Sequence, residues 1–302
     1  MSDSTPTLPA PAEPQRDAAG VIDTSLRWPV LALAASATAW LLAGLILSVV
    51  TAIKLHAPQF LADSAWLTLG RVRPAALNCL LYGFSLQAGL AVALWLVCRI
   101  AGNRFAATVP ALAAYVLWNV GVTVGVVAIL AGASTGFAWL EMPRAAAGLL
   151  LASLVLFAIL ILSTLQARRT KELFHSQWFV LAALFWFAWS YAAANQLLVV
   201  DPVRGTFQAV VNGWFTGVFS NLVLGGFALA ALYYFLPRLT GQPLHSSGLA
   251  AFAFWNLVAF GGFTGLTGLI GAPVPRWIPA LSGAATVCLL LPLGCHLGNW
   301  HL

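Results

Sequence analysis

AAAGLLLASLVLFAILILSTL, residues 145–165, is an uncharged stretch of the roughly 20 residues that a membrane-spanning helix needs. Seven further runs of that kind lie at 28–53, 74–98, 105–130, 177–200, 206–235, 249–271 and 277–302. All 14 lysines and arginines and all 8 aspartates and glutamates fall outside the eight runs. Chemistry inside the hydrocarbon would therefore proceed without a carboxylate, lysine or arginine from a span. Hydrophobic residues make up 61% of the chain, charged ones 7%, and mean hydropathy is +0.91. Such a composition excludes a water-soluble fold. Inside lipid the backbone must satisfy its own hydrogen bonds, and runs this long, without alternation, suit helices and not the strands of a barrel. The expected fold is all-α: a polytopic membrane helix bundle of about eight transmembrane helices over residues 28–302.

Residues 1–27 carry Pro6, Pro9, Pro11 and Pro14 among small and charged residues. They read as a disordered cytoplasmic tail, and with no apolar core behind a basic start they do not read as a cleaved signal. Counting basic residues on alternate sides gives Arg16, Arg27, Arg99, Arg104, Arg168, Arg169, Lys171 and Arg238 with the N-terminus, against Lys54, Arg71, Arg73, Arg144, Arg204 and Arg276. Basic residues concentrate in cytoplasmic loops, so the expected topology is multi-pass with both termini cytoplasmic, the tight Arg168, Arg169, Lys171 group weighing most. The net charge of +6 matches a partner that is anionic lipid; nothing in it points to nucleic acid.

Cys79, Cys98, Cys288 and Cys295 lie in or at the ends of spans, without a CxxC motif, and read as small packing residues. His56, His175 and His245 fall in loops or at helix ends. His296 lies within the last run and His301 at its end; five residues apart, they point about 140° from each other on a helix and make no ligand pair. His296 alone could ligate a heme from one side, but a bond to a backbone carbonyl is the more frequent case. Asn78, Gln87, Asn119, Asn195, Asn221 and Asn256 sit within spans, where most should bond across to other helices. A solute carrier would ask for ionisable or broken mid-membrane segments and related halves; Pro110, Pro279 and Pro292 are the only prolines well inside spans, and no repeat is visible. Trp28, Trp66, Trp139, Trp178, Trp277 and Trp300 lie near span ends, as interfacial anchors do.

Three places resemble subunit I of the C-family, cbb-type heme-copper oxidases. Leu67-Thr-Leu-Gly-Arg-Val-Arg-Pro-Ala-Ala-Leu-Asn78 is similar to the start of that family's second helix, where a Gly-Arg-x-Arg-Pro turn precedes the low-spin heme histidine. In that register the histidine column holds Ala76. Trp214 to Phe219, then Tyr233-Tyr-Phe-Leu-Pro-Arg238 and Gln242-Pro-Leu-His-Ser246, resembles the sixth helix and its exit loop; the column of a copper histidine falls near Val218, and the loop tyrosine is His245. Phe254-Trp255 through Pro275-Arg-Trp277 overlays the seventh helix without a gap. There the redox-active tyrosine column is Gly261 and the paired copper histidines are Thr267 and Gly268. Pro292 and Asn299 continue the register.

The resemblance implies heme b and copper as the family's cofactors, cytochrome c oxidase as its activity, membrane-anchored c-type cytochromes as its partners and the bacterial inner membrane as its location. Iron and copper need imidazole or comparable donors at fixed geometry, which alanine, valine, threonine and glycine do not supply. No catalytic, cofactor-binding or metal residue is therefore assigned. The family's subunits also continue for about four more helices beyond the point that Leu302 reaches, including the helix with the axial histidines of both hemes. Gly261, Gly265, Gly268 and Ala272 follow i, i+4, i+7, i+11 spacing, which would align them as a packing stripe on one helix face. Two readings follow: a non-catalytic, respiratory-complex-associated relative of the oxidase subunit, or a fragment or divergent form of a core that passes electrons to oxygen or nitric oxide.

Overall fold

The computed structural model describes residues 13–168 and 173–301; Arg169 and Lys171, which weigh in the topology, lie outside them, as do Pro6, Pro9 and Pro11. The described chain is helical, without strands. Its helices are α1 (Glu13–His56), α2 (Leu69–Ala101), α3 (Thr108–Ala131), α4 (Arg144–Gln166), α5 (His175–Val200), α6 (Phe207–Thr240), α7 (Ser247–Gly261) and α8 (Trp277–His301). Seven are long and apolar enough to cross a membrane; α7 is the shorter one. Leu42, Ile46, Val49, Val155, Ile159, Leu290 and Leu293 are exposed on the flanks, as side chains facing lipid would be.

Two expectations need correcting. From Glu13 the stretch expected to be disordered is helical: α1 begins there, buries Ile22 and Leu26, and holds Asp23 against Arg99 of α2 at 3.3 Å. At 1.5 Å per residue α1 is roughly 66 Å long, about twice the hydrocarbon thickness, so its first turns extend past the bundle's apolar part. The seventh run is not one helix either. Helix α7 stops at Gly261, and residues 262–276 continue as coil with a single 3-10 turn at Thr267–Leu269.

The stop has a local cause. Gly261 and Gly262 are poor helix formers, each about 1 kcal/mol worse than alanine, and Thr264 Oγ1 donates to the Gly261 carbonyl at 2.9 Å. Tertiary packing then holds the coil. Gly213 and Gly217, one turn apart on α6, face it so closely that a Cβ on Gly213 would lie 2.9 Å from the Gly265 carbonyl oxygen, and one on Gly217 2.9 Å from the Gly265 nitrogen. Gly265 itself has φ 89°, a conformation that glycine adopts without a Cβ penalty. The glycine stripe is thus split: Gly261 packs on Leu222 and Gly265 on α6, while a Cβ on Gly268 would have nothing within 4 Å.

Three π-helical stretches interrupt the spans, Cys79–Leu86 in α2, Gln196–Val200 ending α5 and Phe219–Leu224 in α6. A π turn widens the helix and displaces carbonyls, and side chains take them up: Ser85 Oγ donates to Leu80 O at 2.9 Å, Trp118 Nε1 to Tyr82 O at 3.0 Å, and Asn221 Nδ2 to Gly217 O at 3.0 Å. In α8 the α-helix lapses at Leu289, where Pro292 cannot donate to the Cys288 carbonyl.

Four of the six intramembrane amides bond away from their own helix. Trp40 Nε1 donates to Asn119 Oδ1, Asn119 Nδ2 to Gln87 Oε1, and Gln87 Nε2 to Ser36 Oγ, linking α1, α2 and α3. Asn78 bonds to Glu141 and Asn221 to Thr264, both in loops, whereas Asn195 and Asn256 return to carbonyls one turn back. Trp28, Trp66 and Trp277 are exposed at span ends as expected; Trp139, Trp178 and Trp300 pack into the bundle instead.

Candidate functional site

The residues in the ligand columns do not share one pocket. Ala76 on α2 and Val218 on α6 are buried, while Thr267 and Gly268 are exposed in the turn beyond α7. Beside Val218 lies Phe219, the first residue of the α6 π stretch and the hub of a ring cluster. Its centroid is 5.6 Å from Tyr82, 5.7 Å from Phe187, 5.4 Å from Phe215 and 5.8 Å from Trp139; Tyr191 closes the group against Tyr82 at 5.9 Å. Tyr82, Phe187, Phe215, Phe219 and Tyr191 are all essentially fully buried. Helices α2, α5 and α6 therefore meet through close-packed aromatics at this level.

No three His, Cys, Asp or Glu side chains come together among the described residues, and the four cysteines are free. The one deeply buried imidazole, His296 on α8, lies elsewhere. Its Nδ1 is 2.8 Å from the hydroxyl of Tyr233, which sits roughly 22 Å farther along α6 from Val218 at 1.5 Å per residue. His296 thus bonds to a tyrosine and not to a backbone carbonyl, and its Nε2 has no partner among the described residues. Its ring stacks on Trp300 and leans on Phe179, and Asn299, one turn away, bonds both ways to the Ser246 backbone at 2.8 and 3.0 Å. This arrangement ties the end of α8 to the start of α7. His175 meets Ser247 O at 3.1 Å, and His56, His245 and His301 are exposed.

The loop between α3 and α4 supplies a group that sequence reasoning missed. Glu141 is only 7% exposed, and Asn78 Nδ2 donates to its Oε2 at 2.8 Å. The loop is pinned by Asn212, whose side chain bonds the Ala138 carbonyl and amide at 2.9 and 3.2 Å. Trp139, held at φ 64°, accepts from the Tyr82 hydroxyl through its carbonyl at 2.6 Å. The loop is thus a plug, delivering Trp139 onto Phe219 and a carboxyl group onto α2. Burial raises the Glu141 pKa above the ordinary carboxylate value, and hydrogen bonds from Asn78 and the backbone only partly offset the rise. Asn78 Oδ1 has no partner among the described residues, and a neutral Glu141 could donate its acid proton there. A loop glutamate two residues from a tryptophan carries no signal of this burial in sequence.

Comparison with known proteins bears on the whole bundle. The family described as Cytochrome C and Quinol oxidase polypeptide I matches residues 29–302. Among curated relatives, a cytochrome c oxidase subunit 1 homolog of Azorhizobium caulinodans is 24% identical over 84% of the chain and 47% of its own length. The Cbb3-type cytochrome c oxidase subunit CcoN1 of Stutzerimonas stutzeri is 24% identical over 84% of the chain and 55% of its length. A cytochrome c oxidase subunit 1 of Rhodobacter capsulatus is 25% identical over 84% and 50%. The chain spans about half the length of the curated relatives it matches.

Proposed function

The chain belongs to the cytochrome c and quinol oxidase polypeptide I family, and from that premise we propose that it is a non-catalytic subunit I-like membrane protein associated with a respiratory complex. The observation that carries the proposal is the ring cluster around Phe219, the residue next to Val218, in which no imidazole takes part among the described residues. Heme and copper are the family's cofactors; Ala76, Val218, Thr267 and Gly268 offer them no donor, so no step of electron transfer is assigned to this chain. Its role would be to bind oxidase or membrane-anchored c-type cytochrome subunits through the bundle's exposed apolar flanks. The test is a dithionite-reduced minus oxidised spectrum of the purified chain. A flat spectrum in the b-type α-band region is expected, and a stoichiometric band would overturn the reading.

A second reading, a fragment or divergent form of a core that transfers electrons to oxygen or nitric oxide, draws support from the half-length match to oxidase subunits. It would be favoured if that band appeared. The bacterial inner membrane and a cytoplasmic N-terminus complete the proposal, and neither depends on which reading holds.

A further inference from the structure

A groove runs down the lipid-facing seam between α1 and α2. Four alanines form its floor, Ala34 and Ala37 on α1 and Ala88 and Ala91 on α2, leaving a 430 Å³ cavity. Its one hydroxyl, on Thr38, is spent on the Ala34 carbonyl at 2.9 Å, so only an apolar chain suits it. From Phe84 to Trp95 the α2 wall measures roughly 16 Å at 1.5 Å per residue. At the end nearer the N-terminus, Trp95 stacks flat on Phe235 of α6 at 5.6 Å and meets Tyr234 edge-on at 5.3 Å.

Beyond this aromatic wall lies a second cavity of 770 Å³, into which Arg99, Arg238, Ser176 and Gln242 project. Arg99 is oriented by Asp23, which also accepts from Trp95 Nε1 at 3.0 Å. Arg238 lies 3.7 Å over the Tyr234 ring and bonds the Tyr234 carbonyl through NH1 alone; its other nitrogens bond nothing among the described residues. Two guanidinium groups against one carboxylate leave the cleft positive. The cleft and the groove are neighbours across this wall, Arg99 of the cleft lying 5.7 Å from the Trp95 ring of the groove, and a basic pocket between membrane helices beside an apolar groove of acyl-chain dimensions suits a phospholipid headgroup and its chain. We propose that this site binds one anionic phospholipid, its phosphate between Arg99 and Arg238 and one acyl chain along Ala34, Ala37, Ala88 and Ala91. The site is independent of the oxidase reading and of any cofactor.

The experiment titrates the delipidated full chain with phosphatidylglycerol or phosphatidylcholine and counts bound lipid by native mass spectrometry. One retained phosphatidylglycerol is expected, with phosphatidylcholine bound more weakly. Arg238→Gln should weaken retention about fivefold, the equivalent of about 1 kcal/mol per basic residue at an anionic surface. Ala34→Leu, at an exposed position on the groove, should weaken it with both arginines intact. Arg204→Gln, at the opposite end, should leave it unchanged. Equal retention of the two lipids, or unchanged retention in both variants, overturns the proposal. Displacement by inorganic phosphate, or an effect of Arg238→Gln without one of Ala34→Leu, would make this a simple anion site and sink the lipid assignment.

Discussion

Glu141 shows how a single buried residue can tie the loop between α3 and α4 to pH. Because burial raises its pKa, the folded chain prefers the neutral acid, whereas the unfolded chain ionises at lower pH. The contribution to stability is therefore complete below the unfolded pKa and is lost as pH rises through the folded one. Glu141→Gln keeps an acceptor for Asn78 Nδ2 and a donor toward Asn78 Oδ1, so it should fold as well as the parent and lose that pH dependence. Glu141→Ala would remove one of the two acceptors of Asn78 Nδ2, leaving only the Pro74 carbonyl at 2.8 Å, at a cost of ~1 to 3 kcal/mol. Thermal unfolding in detergent over a pH series measures all three, and parallel pH profiles for the parent and Glu141→Gln would sink the assignment. None of this could be read from the loop sequence, since a charged loop residue next to a span has a solvated carboxylate as its ordinary state and only the fold of residues 132–143 says otherwise.

At the scale of elements, the coil after α7 decides how α6, α7 and α8 meet. Several of its backbone amides bond inside the protein, Leu266 N to Ser282 Oγ at 3.0 Å, Leu269 N to Leu266 O at 3.1 Å and Ala272 N to Leu269 O at 3.0 Å, while Asn221 Nδ2 holds the Thr264 side chain at 2.9 Å. Non-helical backbone at membrane depth is tolerated under that condition. Gly265→Leu adds a side chain at φ 89° against the Gly213 carbonyl and the Gly217 backbone. Overpacking of that kind costs ~1 to 3 kcal/mol, with a further ~1 kcal/mol for the left-handed conformation. Gly268→Leu, with open space around it, should change stability by less than about 0.5 kcal/mol. Equal melting temperatures for the two variants would show that the close approach does not hold the coil. Hydrophobic run length located α2 to α6 well, because desolvating a helix depends on length and polarity that sequence displays directly. It failed at 262–271, where a glycine-rich apolar coil has the composition of a span and its packing against Gly213 and Gly217 is visible only in three dimensions. The residues that the resemblance places in the ligand columns could be named one by one from the sequence, whereas the aromatic cluster beside Val218 could not, since its members come from three helices and a loop.

For the molecule as a whole, sidedness follows from counting crossings, and the count turns on α7. Its 15 residues rise roughly 22 Å, short of a hydrocarbon layer of about 30 Å. The start of α7 nevertheless lies beside the end of α8, because Ser246 is bonded to Asn299. Since α8 is itself long enough to span, its first residue Trp277 belongs at the far surface, and the coil must complete the crossing that α7 begins. With a cytoplasmic N-terminus, alkaline phosphatase fused after Pro202 or after Pro273 should be active, and fusions after Arg104 or Gln242 inactive. Activity after Arg104 would invert the whole topology. An inactive fusion after Pro273 beside an active one after Pro202 would mean instead that α7 enters and returns without crossing. In that case α8 would start and end on sides opposite to those argued here, and its bond from Asn299 to Ser246 could not form.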